Sequence, residues 1–400
     1  MKILVVDDET FALKVLVRQL QNLGYVDVLA CERAQQALDV LEAEAQAVGL
    51  VFCDLQMPEM DGVEFVRHLV RLSYTGGLVL VSGEEERILQ SAEKLAHAHR
   101  LDVLGALHKP VSPEHLQQVL ESNLLRSPLA PRTPAKPYEP AALRRAIETG
   151  ELVNFYQPKV SLANGAASGV EVLVRWQHPQ DGLVYPDQFI AVAEETGLID
   201  ALSRNVLSAA LHQARAWRDI GLDLHVAVNV SMDNLRPLEF PEAIVEEAGK
   251  AGIAVSQLVL EVTESRLMSD VRTTLDILTR LRLKRVGLAI DDFGTGHSSL
   301  TQLRDMPFAE LKIDRGFVHG AYCDSSRRAI VEASLNMARE LGMKTVAEGV
   351  EDRADWDFLR AAGCGMAQGY FIAKPMRAAE VPGWVASWES RRAELFGRSA

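Results

Sequence analysis

The chain has 400 residues, 48% of them hydrophobic and 24% charged, with a formal net charge of −13. That length predicts two or three domains, and the balance of apolar to charged residues is that of a soluble globular protein. The acidic surplus argues against a general DNA or RNA binder, which needs a basic face. It leaves room for a small phosphate ligand held by metal ions and a few cations.

Cys31, Cys53, Cys323 and Cys364 are scattered without a CxxC pair, as expected of reduced cysteines in a cytosolic protein. No apolar run is long enough to span a bilayer. The opening MKILVVDDET places acids where a signal peptide would continue its apolar region, so the expected location is the cytoplasm.

The first third alternates strand-like and helix-like pieces. Strands are expected at Ile3 to Val6, Val26 to Ala30, Leu50 to Cys53, Leu78 to Val81 and Leu104 to Leu107. Helical spacing runs from Phe11 to Leu23 and from Ala34 to Ala47. Such alternation implies a parallel sheet with right-handed crossovers, and a site beyond the carboxyl ends of its strands. The residues at those ends are Asp7, Asp8, Asp54, Ser82 and Lys109. Three clustered carboxylates can hold one Mg²⁺. With Lys109, that ion would neutralise an incoming phosphoryl group while Asp54 attacks it.

VVDDE, DLQMPEMDG, VSG and KP, in that order and spacing, resemble the receiver domain of a two-component response regulator. The resemblance implies a doubly wound, flavodoxin-like domain over residues 1–124, phosphorylated by a cognate sensor histidine kinase. Asp54 would be the phosphoacceptor, Asp7 and Asp8 the metal carboxylates, Ser82 the hydroxyl that follows the phosphoryl group, and Lys109 its counter-charge. Ala106 stands where the family usually has an aromatic switch residue, and Val111 where Phe often follows Lys-Pro. The acidic run Glu84, Glu85 and Glu86 reads as the first turn of a helix.

Residues 125–140 carry Pro128, Pro131, Pro134, Pro137 and Pro140 with little apolar content. They read as a semi-rigid linker that leans toward polyproline II.

From Tyr138 to about Phe396 the chain has the usual size of an eight-stranded (β/α) barrel, about 250 residues. Strand-like runs recur, each ending in polar residues and followed by helical spacing. Those runs bring up Gln157, Glu171, Arg175, Asn229, Glu261, Glu264, Asp291, Asp292, Lys312, Asp314, Glu348, Glu351 and Gln368. In a barrel the strand ends converge on one face. Adjacent acids such as Asp291 and Asp292 repel each other, and an isolated pair reads as a solvated turn. Here the same arrangement recurs along the barrel. Oxygen ligands without His or Cys favour Mg²⁺ or Mn²⁺ over zinc. Two such ions about 3.5–4 Å apart suit in-line attack by water on a phosphodiester.

EVLVRW, NVS, EVTE, DDFGTGHSSL, LKID, VAEGVE and AQGY, between Phe155 and Pro375, resemble the EAL domain, the cyclic di-GMP phosphodiesterase fold. The resemblance implies a modified TIM barrel over residues 141–396 with its first strand running against the others. It also implies hydrolysis of cyclic di-GMP to linear pGpG. Glu171, Asn229, Glu261 and Asp291 would hold one metal, and Asp291 would bridge to a second that Asp292 helps to hold. Lys312 would position the attacking water. Glu348 and Gln368 would hold waters of the inner or outer metal shell, and Glu351 would support them. Gln157, Arg175 and Asp314 would meet the substrate, and Glu264 would pin the loop after Asp292, which the family uses to couple site and dimer interface. His297 replaces the usual tyrosine of that loop.

The resulting expectation is a response regulator that hydrolyses cyclic di-GMP under control of Asp54 phosphorylation. It would be a homo-oligomer, dimer or tetramer, with no nucleic-acid or membrane partner. The rival expectation is a catalytically weak module that binds cyclic di-GMP or a protein. Such relatives typically lose an acid or the lysine, and this chain has lost none.

Overall fold

A computed structural model describes residues 2–44, 47–83, 86–99, 101–124, 138–263, 271–294 and 300–396. Glu84, Glu85, Glu264, His297 and residues 125–137 lie outside them. The chain divides into two compact units, Met1–Thr133 and Pro134–Ala400.

In the first unit, strands β1 (Lys2–Val6), β2 (Val28–Cys31), β3 (Val48–Asp54), β4 (Gly77–Ser82) and β5 (Asp102–His108) form one sheet in the order β2-β1-β3-β4-β5. Every pairing is parallel. Strand alternation places Leu4 and Val6 in one core and Ile3 and Val5 in another, so helices cover both faces. A sheet apolar on both sides leaves only its strand ends for polar side chains.

The second unit is a closed barrel. Its strands are β6 (Leu152–Ser161), β7 (Ala167–His178), β9 (His225–Val230), β10 (Leu258–Thr263), β11 (Gly287–Phe293), β12 (Glu310–Ile313), β13 (Lys344–Ala347) and β14 (Met366–Ala367). They pair in that order, and β6 closes the ring against both β7 and β14. β6 is antiparallel to its two neighbours and the remaining pairings are parallel. Two short strands extend the rim, β8 (Gly182–Val184) on β7 and β15 (Met376–Arg377) on β6.

The strands are longer than their apolar runs suggest. Polar residues expected at strand ends, Gln157 and Asn229, lie inside β6 and β9, as Glu171 lies inside β7. The reason is that the barrel interior, not solvent, receives those side chains. Outward residues such as Val172, Val228, Leu260, Leu288 and Ile290 pack into the large core beneath the helices. Tyr138, assigned to the linker by composition, is buried against Trp176 with ring centroids 4.7 Å apart. Pro140 opens the helix Pro140–Thr149, where its missing N–H costs nothing. No described helix is long and apolar enough to cross a membrane.

Candidate active site

Alternation along the strands turns Glu171, Asn229, Glu261, Asp291 and Lys312 into the barrel interior. Register sets Glu171 opposite Gln157 and Asn229 opposite Glu261, so these side chains meet without any long excursion of the chain. The turn after β13 adds Glu348, and the turn after β14 adds Gln368.

Lys312 is the hub. It is 1% exposed, and its Nζ lies 2.6 Å from Glu348 Oε1, 2.7 Å from Glu261 Oε2, 3.0 Å from Asp291 Oδ1 and 3.6 Å from Glu171 Oε2. Asn229 Nδ2 donates to Glu171 Oε1 at 2.9 Å. Gln368 Nε2 donates to Glu171 Oε2 at 2.6 Å and to Gln157 Oε1 at 2.9 Å, while Gln157 Nε2 donates to the Ala373 carbonyl at 3.0 Å. Asp292 adopts a left-handed φ of 54°, and its N–H donates to Asp291 Oδ1 at 2.9 Å. A non-glycine residue in that conformation stores strain, which is common where a side chain must be re-aimed at a functional site.

The cluster holds more carboxylates than cations. Burial raises Glu171 and pushes Glu348 up to about 8, and burial together with repulsion from Asp291 pushes Asp292 up to about 6. Burial alone would discharge Lys312, but Glu171, Glu261, Glu348 and Asp291 outweigh it and hold the ammonium charged. Burial would likewise raise Glu261, yet Lys159 and Lys312 overcome it and bring its carboxyl down to about 2. A site of this kind relieves its excess negative charge by holding protons, which a divalent cation would displace.

The donor set fits such a cation. Glu171, Glu261 and Asp291 offer oxygens within 4.8 Å of one another, as do Asp291, Asp292 and Glu348, so Asp291 belongs to both groups. Gln368 Oε1 is buried with no hydrogen-bond partner, an acceptor left over beside the acids. Hard oxygen donors of this type suit Mg²⁺ or Mn²⁺.

Around the mouth, Arg175 is 9% exposed and its guanidinium stacks 4.8 Å from the Tyr185 ring centroid and 5.9 Å from that of Phe155. Asp314 caps the short helix Arg315–Val318 by accepting from Gly316 N at 2.9 Å. The Glu351 side chain faces His319 Nε2, 3.9 Å away, instead of Lys312. Glu264 and His297 fall outside the described residues.

Sequence reasoning missed two features. One is Lys159, 4% exposed, whose Nζ lies 2.5 Å from Glu261 Oε1. Its two-residue spacing from Gln157 was the available signal, since both must face the same side of β6. The other is the contact of His319 Nδ1 with Asp355 Oδ2 at 2.9 Å, which joins the end of one helix to the first turn of another 36 residues away and left no local signal.

In the first unit, Lys109 Nζ lies 2.7 Å from Asp54 Oδ2 and 2.8 Å from Asp7 Oδ2. Asp7, Asp8 and Asp54 also offer oxygens within 4.8 Å, a grouping that fits one divalent ion. Burial raises Asp54 despite the opposing pull of Lys109. Ser82 is buried at the end of the neighbouring strand. Ala106 packs on the core beside these strands without an aromatic ring to swing.

Residues 141–375 match the family model of the EAL domain, and residues 3–121 match that of the response regulator receiver domain. The chain belongs to the EAL-domain family. It pairs that domain with a receiver, and one relative aligns with nearly the whole chain. Cyclic di-GMP phosphodiesterase RocR of Pseudomonas aeruginosa is 35% identical over 379 residues, 94% of this chain and 96% of the relative. The bifunctional diguanylate cyclase/cyclic di-GMP phosphodiesterase MucR of the same organism is 45% identical over 240 residues, 60% of this chain and 35% of the relative. Among solved structures, a MucR phosphodiesterase in complex with c-di-GMP superposes with a TM-score of 0.58 at 44% identity, covering 60% of this chain and 98% of that one.

Proposed function

We propose that this EAL protein is a response regulator whose barrel hydrolyses cyclic di-GMP to linear pGpG, with Asp54 as the phosphorylated control residue. The observation that carries the reading is the convergence of Glu171, Asn229, Glu261, Asp291, Asp292 and Glu348 about buried Lys312. The RocR and MucR likenesses support the same substrate.

Two divalent ions, Mg²⁺ or Mn²⁺, would supply activation of the attacking water and neutralise charge on the phosphodiester. Glu171, Asn229, Glu261 and Asp291 would hold the first, and Asp291, Asp292 and Glu348 the second. The protein's own part is orientation. Lys312 fixes the carboxylates in the metal-free state, and in the reaction it would hold the water in line with the scissile P–O bond. Glu348, whose Oε1 meets Lys312, would take the water's proton as the P–O bond to the ribose oxygen breaks, and solvent would protonate that leaving oxygen. Gln368 ties Glu171 to Gln157, Gln157 and Arg175 would meet the phosphate and guanine side of the substrate, and Asp314 would meet it from the end of β12. Glu351 would brace the turn after β13, and Glu264 the loop after Asp292.

In the receiver, Asp54 would accept a phosphoryl group from a sensor histidine kinase, with Asp7 and Asp8 holding one Mg²⁺ and Ser82 and Lys109 contacting the phosphoryl oxygens. Residues 1–124 and 141–396 would be the two functional units, joined by the Pro-rich segment, and the active form would be a dimer or tetramer in the cytoplasm.

The test is a chromatographic product assay on purified protein with cyclic di-GMP and Mg²⁺ or Mn²⁺. pGpG should accumulate and a chelator should stop it. Recovery of intact cyclic di-GMP with both metals, under conditions where the protein is folded, would overturn the reading.

A further inference from the structure

The large core of the second unit lies between strands and helices; the barrel interior is a separate place, and a second buried ion pair occupies it. Lys159 projects from β6. Its Nζ lies 2.5 Å from Glu261 Oε1 on β10 and 3.6 Å from Glu310 Oε1 on β12. Lys159, Glu261 and Glu310 are 4%, 0% and 7% exposed. Burying a lysine and two acids is costly unless geometry and charge complete each other, so an ion pair kept here calls for a reason beyond stability.

Topology explains how the contact arises. Going round the ring from β6, β11 is the fourth strand in either direction, and β10 and β12 flank it. Lys159 therefore crosses the barrel to reach both flanks of the opposite strand. Register aligns Glu261 with Ala289 and Ala289 with Glu310, so one short side chain separates the two acids. Ala289 shares the inward face of β11 with Asp291, and its small size leaves room for the ammonium. Because β6 runs against the other strands, the same two-residue step that carries the chain from Gln157 to Lys159 leads from the mouth toward the floor. On β12 it leads from Glu310 at the floor to Lys312 at the mouth.

Glu261 is thus held at both oxygens, Oε1 by Lys159 from below and Oε2 by Lys312 from above, at 2.7 Å. The two cations are not equivalent. Lys312 is shared among four acids of the site, whereas among the described residues Lys159 pairs with Glu261 and Glu310.

We propose that Lys159 is a positioning residue: it clamps Oε1 of Glu261 across the barrel so that Oε2 alone turns to the mouth, where Lys312 can yield it to a divalent cation. The proposal rests on the metal-binding reading above. Outer partners that orient a ligating carboxylate typically change metal affinity by about 10–100-fold when removed. Lys159 would act through Glu261 without touching substrate.

The experiment is calorimetric titration of full-length, metal-free protein with Mn²⁺, comparing wild type, Lys159→Met and the double variant Lys159→Met/Glu310→Gln. The double variant removes the second acid along with the lysine, so a folded comparison survives if the single change is too disruptive. Weakening of about tenfold or more is expected in both variants. Wild-type affinity in Lys159→Met would overturn the clamp. So would recovery of affinity in the double variant, which would mean that Lys159 only neutralises Glu310. If wild type itself took up no Mn²⁺, the metal reading would fail separately. The clamp would then be judged by thermal unfolding of Lys159→Met, Glu261→Gln and their combination without metal. Non-additive shifts in midpoint support it, and simple additivity removes it.

Discussion

At the scale of single residues, Lys312 and Asp291 have separable duties. Lys312 stands in for cations in the metal-free cluster, so Lys312→Met leaves buried acids with too little positive charge. We expect it to lower metal-free stability by about 3–5 kcal/mol, measured by denaturant unfolding, and to cut turnover by at least about 100-fold. Asp291 is common to both groups of candidate ligands. Asp291→Asn keeps the shape and removes the charge, so turnover should fall below detection. It also relieves repulsion on Asp292, whose carboxyl is pushed up to about 6 by burial and by Asp291. Metal-free stability should therefore hold or rise in this variant. A drop in stability together with residual turnover would contradict the bridging role.

At the scale of elements, two turns carry the mouth of the barrel. The turn after β14 presses on the turn after β13: a Cβ on Gly369 would sit 2.2 Å from the Val350 carbonyl oxygen and 2.3 Å from its nitrogen. Val350 N also donates to the Gln368 carbonyl at 3.1 Å, and Phe371 N to that of Val350 at 2.9 Å. Gly369→Ala must push Gln368 and Glu348 apart. It should cost about 1–3 kcal/mol in thermal unfolding and lower kcat, because both side chains lose their placement together.

The second clip is His319 on Asp355, whose carboxylate also accepts from Gly320 N at 2.9 Å and Glu351 N at 3.1 Å. The hydrogen bond to Asp355, helped by the charges of Asp355, Glu351 and Asp352 and opposed by burial, raises His319 above its ordinary 6.5. A raised folded value means that the folded state binds the proton more tightly than the unfolded state. The stabilisation is therefore full below about 6.5 and is lost as pH climbs through the folded value. Urea unfolding of wild type and His319→Gln should differ most at about pH 6 and converge by about pH 9. Equal differences at both pH values would exclude a charged His319 in the folded protein.

At the scale of the whole molecule, the chain joins a receiver to an EAL barrel, and the proposed regulation must pass between them. Ala106 lacks an aromatic ring, while Lys109 pairs with both Asp54 and Asp7. A small phosphodonor such as acetyl phosphate should change cyclic di-GMP turnover by wild type and leave Asp54→Asn unaffected. The same response in both proteins would place control elsewhere.

Much of this was legible in the sequence, for a physical reason. Strand periodicity and the polar punctuation of Asp54, Glu261, Asp291 and Lys312 are local, and a parallel sheet or barrel gathers such residues on one side whatever the loops do. Periodicity therefore determined the receiver sheet, the barrel and most of the residues around Lys312, while the reversed first strand came from the resemblance to the EAL domain. Tertiary structure alone decided what depends on distance across the barrel. Gln157 entered the site from mid-strand, Gln368 tied it to Glu171, His319 found Asp355, and Lys159 reached Glu261 because Ala289 is small and β6 stands opposite. Spacing along a chain sets the face a side chain occupies; only closure of the ring sets which charge it meets.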